Sequence, residues 1–187
     1  MHKNRLEAFT NGVLSIVNPI MVLEIKVPHG DSLDAHWPLW PKFLSFEYVG
    51  IYWTNHHHSM QAAKSVDGAV RWTKLNLLFW LSLLPFSTGR MGENHFAQVP
   101  ILLYGLNLLL CALAYFHWAR SLVAHYGQDS ALVPAIGKDI KGKISLLLYV
   151  LGMAVAQYQS TFGFAVFALV ALLWLVPGPR MHRAVEG

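Results

Sequence analysis

The sequence predicts an all-α polytopic membrane protein, a single domain of six transmembrane helices spanning residues 1–187. Composition is the first reason: 55% of the residues are hydrophobic and only 13% are charged, which is far from the usage of soluble proteins. Apolar runs close to the length of a membrane-spanning helix also recur along the whole chain. Basic residues, finally, alternate between the connecting segments in step with those runs.

Six apolar runs give the predicted helices, and most are close to the ~20 residues that a spanning helix needs. They lie at roughly 6–26, 39–60, 75–92, 99–123, 143–160 and 162–178. The last two runs are short and are separated by only a tight turn. Segment 26–42 is predicted to be an outer loop, and segment 124–142, which contains Pro134 and Gly137, is predicted to be a polar cytoplasmic linker.

The distribution of basic residues sets the expected orientation. Eleven of the 14 lysines and arginines fall on the side of the two termini, and only Lys26, Lys42 and Arg90 fall on the opposite side. Because cytoplasmic connections are enriched in Lys and Arg, both termini are predicted to be cytoplasmic and the protein to lie in the cell membrane. This alternation, rather than nucleic-acid binding, accounts for the net charge of +4.

The first run carries two unlike faces when it is drawn as a helix with 100° per residue. One face holds Ile16, Pro19, Ile20 and Leu23. The other holds the polar side chains of Asn11, Ser15 and Asn18. Polar groups and proline at membrane depth are costly and usually face protein or water. Since Pro19 lacks an N–H, it frees the carbonyl of Ser15, and a kink or a hydrated site is expected there.

The apolar face of this helix admits two interpretations. Branched apolar side chains of a spanning helix ordinarily face lipid or pack against other helices, and Ile16, Ile20 and Leu23 alone are weak grounds for anything further. Rings of such side chains from symmetry-related subunits can instead narrow a pore and gate it by dewetting. Arg5, at the cytoplasmic end of the same helix, is either a snorkelling anchor or a partner for polar groups on the second helix.

Three consecutive histidines, His56, His57 and His58, close the second run and raise the question of a metal site. Consecutive helical positions point 100° apart, and the helical spacing of a zinc pair is i, i+4, so the three rings cannot converge on one ion. We therefore expect no metal and no cofactor, and favour an interfacial cluster with one or two rings bonded to other helices. A histidine-based membrane metalloprotein, with His117 as a further ligand, is the less favoured alternative.

The sequence offers no support for an enzyme, because it contains no recognisable nucleophile–base arrangement, Gly-rich phosphate loop or pair of catalytic carboxylates. The lone Cys111 excludes an internal disulfide and a cysteine metal site. No basic and aromatic face for nucleic acid stands out. Ten histidines that titrate near neutrality leave proton conduction or pH sensing open as an alternative function.

Three short motifs follow one another in the first half of the chain. The first motif, in the first helix, consists of Arg5, Phe9, Gly12, Leu23-Glu24-Ile25 and Pro28. The second motif, in the second helix, consists of Trp53, His56 and His57. The third motif, in the third helix, consists of Asn76-Leu77-Leu78 and the run from Leu83 to Thr88. Together these motifs resemble the transmembrane protein 175 family of potassium channels, in its single-repeat prokaryotic form. The resemblance covers about the first 95 residues.

The resemblance implies a homotetramer in membrane lipid whose first helices line a central pore that conducts potassium. It implies that Ile16 forms the principal constriction, that Pro19 and Leu23 follow one and two turns outward, and that Ile20 belongs to the same ion pathway. The hydrogen-bonded network that holds the first helix would contain Arg5, Phe9, Thr10, Asn11, Trp53, His56 and His57. Permeant potassium is the only implied ligand, and no other small-molecule substrate is expected.

Two positions depart from the family's pattern. The family's Ser-Asp pair is Thr10-Asn11 here, so an amide that can hydrogen bond replaces a carboxylate that could form an ion pair. The position usually held by a threonine, one turn outward from Ile16, is Pro19. The helix therefore loses a hydroxyl at that level.

Overall fold

The computed structural model describes residues 3–23, 36, 39–63, 65–127 and 140–175, and these residues form seven helices and no strand. The helices are α1 (Lys3–Leu23), α2 (Trp40–Ala62), α3 (Gly68–Ser82), α4 (Leu84–Glu93), α5 (Gln98–Tyr126), α6 (Ile140–Ala156) and α7 (Ser160–Leu175). The all-α class predicted from the sequence is therefore confirmed over the described residues.

Helix bounds agree with the predicted apolar runs to within a few residues everywhere except in the third run. The predicted ends of the first and last runs, at 24–26 and 176–178, lie outside the described residues. The same holds for most of the predicted outer loop and of the predicted cytoplasmic linker. The predicted tight turn is present, because α6 ends at Ala156 and α7 begins at Ser160.

The third run was predicted to begin at residue 75, but α3 begins at Gly68. Asp67 caps this start, and its carboxylate accepts a hydrogen bond of 2.8 Å from the Val70 N–H. The helix begins earlier than the predicted apolar run because a basic residue ordinarily lies outside such a run, whereas Lys74 lies within α3. The Lys74 side chain is only 1% exposed and lies inside the subunit.

A short break at Leu83 divides the third run into α3 and α4. Pro85 lies in the first turn of α4, where its missing N–H removes no helical hydrogen bond. Asn107 of α5 bridges the break: in the amide orientation that satisfies its neighbours, it donates to the carbonyl of Trp80 (3.0 Å) and accepts from the N–H of Leu84 (3.2 Å). The side chain thereby satisfies the Leu84 N–H and gives a second donor to the Trp80 carbonyl, which also accepts from the Leu83 N–H.

The helix α5 forms the centre of the subunit and packs against α3, α4 and α6. Its fully buried side chains include Tyr104, Leu108, Cys111 and Trp118. The helices α6 and α7 pack closely because Gly163 faces α6: a Cβ there would lie 2.5 Å from the Ala156 Cβ and 2.8 Å from a backbone oxygen of α6. These contacts leave α1 at the edge of the subunit, against α2, α3 and α4.

Two described helices, Lys3–Leu23 and Gln98–Tyr126, are long and apolar enough to cross a membrane, judged by length and composition. Ser160–Leu175 is also apolar but shorter. The helix α1 differs from α5 in that a smaller share of its residues is buried within the subunit. Its other side must therefore meet lipid, water or a second subunit.

The connection between α2 and α3 is tied to the end of α5 through polar contacts of Asp67. Besides capping α3, the Asp67 carboxylate lies 3.3 Å from Nδ1 of His125. The Val70 N–H bond is the main cause that lowers the pKa of Asp67, and the neighbouring His125 ring lowers the pKa further. Asp67 thus contributes stability above the ordinary carboxyl pKa, and the contribution is lost as the pH falls through the lowered value.

We expect Asp67→Ala to lower the stability of the purified protein by about 1 kcal/mol at pH 7, because the N-cap of α3 is lost. The matched variant Asp67→Asn retains a capping oxygen and should lose less. Thermal unfolding between pH 7 and pH 3 measures both effects. The difference in unfolding temperature between wild type and Asp67→Ala should become smaller below about pH 4. A gap that is constant over this range would contradict the assignment.

Candidate functional site

One face of α1 is left uncovered by the rest of the subunit. Ile16 is 62% exposed, Leu23 is 82% exposed and Ile20 is 38% exposed, and Pro19 is exposed beside them. The four residues expected on the ion pathway therefore share one open face. The opposite side of α1 is a buried stripe at helical spacing, made of Leu6, Thr10, Leu14, Val17 and Met21.

Small and polar groups flank the exposed apolar side chains of α1. Ser15 is exposed, and its hydroxyl donates a hydrogen bond of 2.8 Å to the carbonyl of Gly12. A Cβ added at Gly12 would meet nothing within 4 Å, so the subunit itself gives no reason for a glycine there. Asn18 is half-buried, and its Oδ1 is enclosed without a hydrogen-bond partner among the described residues.

Polar contacts join the N-terminal half of α1 to α2. The Trp53 Nε1–H donates a hydrogen bond of 3.1 Å to Oδ1 of Asn11. One turn further along α2, His57 stacks on the Trp53 indole, with ring centroids 5.7 Å apart and planes 13° apart. Nδ1 of His57 lies 3.7 Å from Oε1 of Glu7. Two levels of contact, Asn11–Trp53 and Glu7–His57, therefore run in parallel along the two helices.

Sequence reasoning missed Glu7 and Lys3 at this contact. Glu7 precedes Asn11 by four residues, the spacing that places two side chains on the same side of a helix, so the signal was present in the sequence. Lys3 adds a third level, since its Nζ donates a hydrogen bond of 3.2 Å to the carbonyl of Met60. Nothing local in the sequence identifies a main-chain acceptor on another helix.

Three residues expected in the same network lie elsewhere within the subunit. Thr10 is fully buried, and its hydroxyl donates to the carbonyl of Leu6 in its own helix at 2.8 Å. Arg5 and Phe9 are exposed on the open side of α1. The Arg5 guanidinium makes no hydrogen bond with the described residues, and the Phe9 ring has no hydrogen-bonding group. Their expected role in the network stays a prediction.

His56 points away from α1 into the core. It is 1% exposed, its ring lies 5.6 Å from that of Trp118, and neither ring nitrogen has a partner among the described residues. Nζ of Lys74 lies 4.1 Å from the centre of the Trp118 ring, a cation–π contact. His56 and His57 thus serve different faces of α2, which follows from the 100° between consecutive helical positions.

The described histidines do not gather around a common point. No group of three or more His, Cys, Asp or Glu side chains within the described ranges is placed to hold a metal ion. At the connection between α2 and α3, Ser65 Oγ lies 3.1 Å from Nε2 of His125, whose Nδ1 faces Asp67. Tyr126 hydrogen bonds to both main-chain groups of Ser65 at the same place. These contacts fasten the α2–α3 connection to the end of α5.

Comparison with known proteins identifies the family. The family profile described as "Endosomal/lysosomal potassium channel TMEM175" matches residues 5–85, which run from α1 into α4. A protein of Chryseobacterium sp. (strain P1-3) named as a potassium channel is 45% identical over 190 residues, covering 100% of this chain and 99% of that protein. The chain belongs to the TMEM175 family.

Further relatives of the TMEM175 family share the length of the chain. A potassium channel of Streptomyces collinus is 28% identical over 198 residues and covers 96% of both chains. The crystal structure of a lysosomal potassium-selective channel TMEM175 homolog from Chamaesiphon minutus superposes with a TM-score of 0.76 at 26% identity, covering 93% of this chain and 96% of that one. The likeness therefore extends beyond the profile to α5, α6 and α7.

Membership of the TMEM175 family confirms three expectations drawn from the sequence. The motif resemblance in the first three helices identified the right family. The protein is an integral membrane protein, because the family is one of membrane channels. It is not an enzyme, since the family and the relatives are channels.

The Asn11–Trp53 bond is expected to hold α1 in place. Trp53→Phe retains a ring that can stack on His57 but removes the indole N–H, so it should lower stability by about 1 kcal/mol. Asn11→Ala should cost a similar amount, and the double variant little more than either single one, because the two side chains form one bond. Thermal unfolding of the assembled protein measures all three.

Trp72→Phe is the matched control, because Trp72 is 74% exposed on α3 and distant in sequence from this contact. Trp72→Phe should leave the free energy of unfolding nearly unchanged. Its effect and that of Asn11→Ala should simply add in the double variant. Full additivity of Trp53→Phe and Asn11→Ala would refute the contact as an energetic link between the helices.

Proposed function

We propose that the protein is a passive, potassium-favouring cation channel in which four subunits surround a central pore lined by α1. Ile16 forms the narrowest hydrophobic ring, and Pro19, Ile20 and Leu23 line the pathway outward from it. The observation that carries the proposal is the uncovered face of α1, on which the exposed apolar side chains of Ile16, Ile20 and Leu23 lie beside the exposed Ser15 and Pro19. Family membership supports potassium as the permeant ion.

Polar groups at the edge of the open face of α1 favour a pore over a lipid-facing surface. Ser15 is exposed at the edge of the face that carries Ile16 and Pro19, and Asn11, whose Oδ1 accepts a hydrogen bond from Trp53, is exposed further round the helix. A face turned to lipid would ordinarily be apolar throughout, because hydrocarbon offers no hydrogen bonds to polar atoms. A face that meets water in a pore and the neighbouring subunits around it tolerates both kinds of group.

Assembly of several subunits around one axis fits the same geometry, and the number four is the one that the resemblance to the family implies. One subunit offers a single such helix, and a closed pore needs several copies around an axis, which cyclic symmetry supplies. A ring of branched side chains at Ile16 can exclude water when it is narrow and admit hydrated ions when the helices move apart. Conduction of this kind needs no cofactor, since the permeant potassium passes through without resident chemistry.

The proposed topology has six spans within a single domain that covers residues 1–187. The helices α3 and α4 together form the third span, with the Leu83 break at its middle. Both termini are cytoplasmic in the cell membrane, as the distribution of basic residues indicates. Membrane lipid surrounds the assembly and contacts exposed apolar residues of the outer helices, such as Leu147 of α6 and Leu169 of α7.

Ion flux into liposomes tests the function directly. The wild-type protein should carry potassium down its gradient faster than sodium. A flux that follows a proton gradient instead would favour the alternative of a proton-conducting channel. No flux of any ion from a well-folded tetramer would contradict the proposal.

Substitution of the constriction tests the assignment of Ile16. Ile16→Ser should raise the potassium flux at least several-fold or lower the preference for potassium, because a small polar ring stays hydrated. Ile144→Ser is the matched control, since Ile144 is an exposed isoleucine on α6 (41% exposed) outside the proposed pore. Equal fluxes and selectivities for Ile16→Ser and wild type would show that the constriction lies elsewhere.

A further inference from the structure

Pro19 leaves one backbone oxygen of α1 without its helical partner. An α-helix pairs the carbonyl of residue i with the N–H of residue i+4, and proline has no N–H, so the carbonyl of Ser15 lacks that bond. The helix nevertheless continues unbroken from Lys3 to Leu23. The freed oxygen therefore belongs to a regular helix and not to a helix end, where open carbonyls are routine.

The two residues of the missing bond, Ser15 and Pro19, are both exposed. Pro19 lies beside Ile16 and Leu23 on the uncovered face, and Ser15 lies at the edge of that face. An unsatisfied carbonyl at membrane depth is costly against hydrocarbon, so a position that meets water, an ion or another subunit is favourable for this oxygen. The side chain of Ser15 does not supply the missing donor, because its hydroxyl donates to the carbonyl of Gly12.

The direction of the oxygen sets its level along the helix axis. Helical carbonyls point towards the C-terminus, whereas Cβ atoms tilt towards the N-terminus. The Ser15 oxygen consequently lies just on the C-terminal side of the Ile16 side chain. In the proposed pore this level is immediately outward of the narrowest ring, where a cation has to shed or regain water.

We infer that the carbonyl oxygens of Ser15 from four subunits, freed by Pro19, form a ring that coordinates a partly dehydrated potassium ion next to the Ile16 constriction. The inference rests on the proposed function, because the ring exists only when four α1 helices face one axis. Backbone carbonyls arranged around an axis replace part of the hydration shell of potassium, and water completes it. Because Pro19 lacks a backbone N–H, the carbonyl oxygen of Ser15 can act as a ligand, which a carbonyl bonded within a regular helix cannot.

Two substitutions of Pro19 test the backbone oxygen. Pro19→Ala and Pro19→Val both restore the N–H that closes the bond to Ser15, while they differ in side-chain volume. Alanine also favours the helix, so loss of folding is not expected. The readout is the thermal unfolding of the purified tetramer in potassium chloride and in choline chloride at equal ionic strength.

The wild type should unfold at a temperature higher by about 3 °C in potassium than in choline, because an ion that binds only the folded assembly stabilises it. Both Pro19 variants should lose this difference. Ser15→Ala removes the hydroxyl but keeps the carbonyl, and it should retain the difference. In liposomes, both Pro19 variants should also reduce the preference for potassium over sodium by roughly fivefold or more.

Several outcomes would overturn the inference. These are a wild type without potassium-specific stabilisation, a difference that survives in Pro19→Val but not in Pro19→Ala, and a difference that Ser15→Ala abolishes. The thermal measurement needs no flux, so the two proposals can fail separately. A potassium-specific shift without conduction would contradict the channel proposal alone, and conduction without the shift would contradict the carbonyl ring alone.

Discussion

Every backbone carbonyl of a membrane helix needs a partner, and in α1 the proline at position 19 leaves that of Ser15 without one inside the helix. The consequence is a continuous helix in which one carbonyl lacks its regular i+4 donor. Its inner side is fully engaged, through the buried stripe from Leu6 to Met21, and its outer side keeps apolar and polar groups open together. Such a helix is suited to an axis shared by several copies, where water and ions meet it.

The remaining helices hold α1 in position from behind. The Asn11–Trp53 bond and the Glu7–His57 pair join it to α2 at two levels. Behind α2, Nζ of the buried Lys74 lies over the Trp118 ring, which also contacts the His56 ring. These three buried side chains come from α3, α5 and α2, and they pack the three helices together in the core. The apolar face of α1 is thereby presented by a packed scaffold.

The fold class, the family and most helix bounds could be predicted from the sequence, because apolar runs and the spacing of Arg5, Phe9, Trp53 and the Leu-Leu-Pro-Phe-Ser-Thr element are local patterns. The start of α3 could not, since a lysine near a helix end indicates the surface unless its tertiary neighbours are known. Helical periodicity separates His56 from His57, but it does not say which of the two faces the core. The partner of Glu7 depends likewise on the packing of α2 against α1.

Thiol accessibility at the proposed constriction is the most direct test of the claim that α1 lines the pore. Cys111 is the sole cysteine and is buried, so Ile16→Cys in a Cys111→Ala background presents one reactive thiol. A charged methanethiosulfonate reagent should abolish potassium flux through this variant, and Tyr158→Cys in the same background, at the exposed turn between α6 and α7, should react without loss of flux. Complete modification of Ile16→Cys, verified by mass, with unchanged flux would contradict a pore along α1.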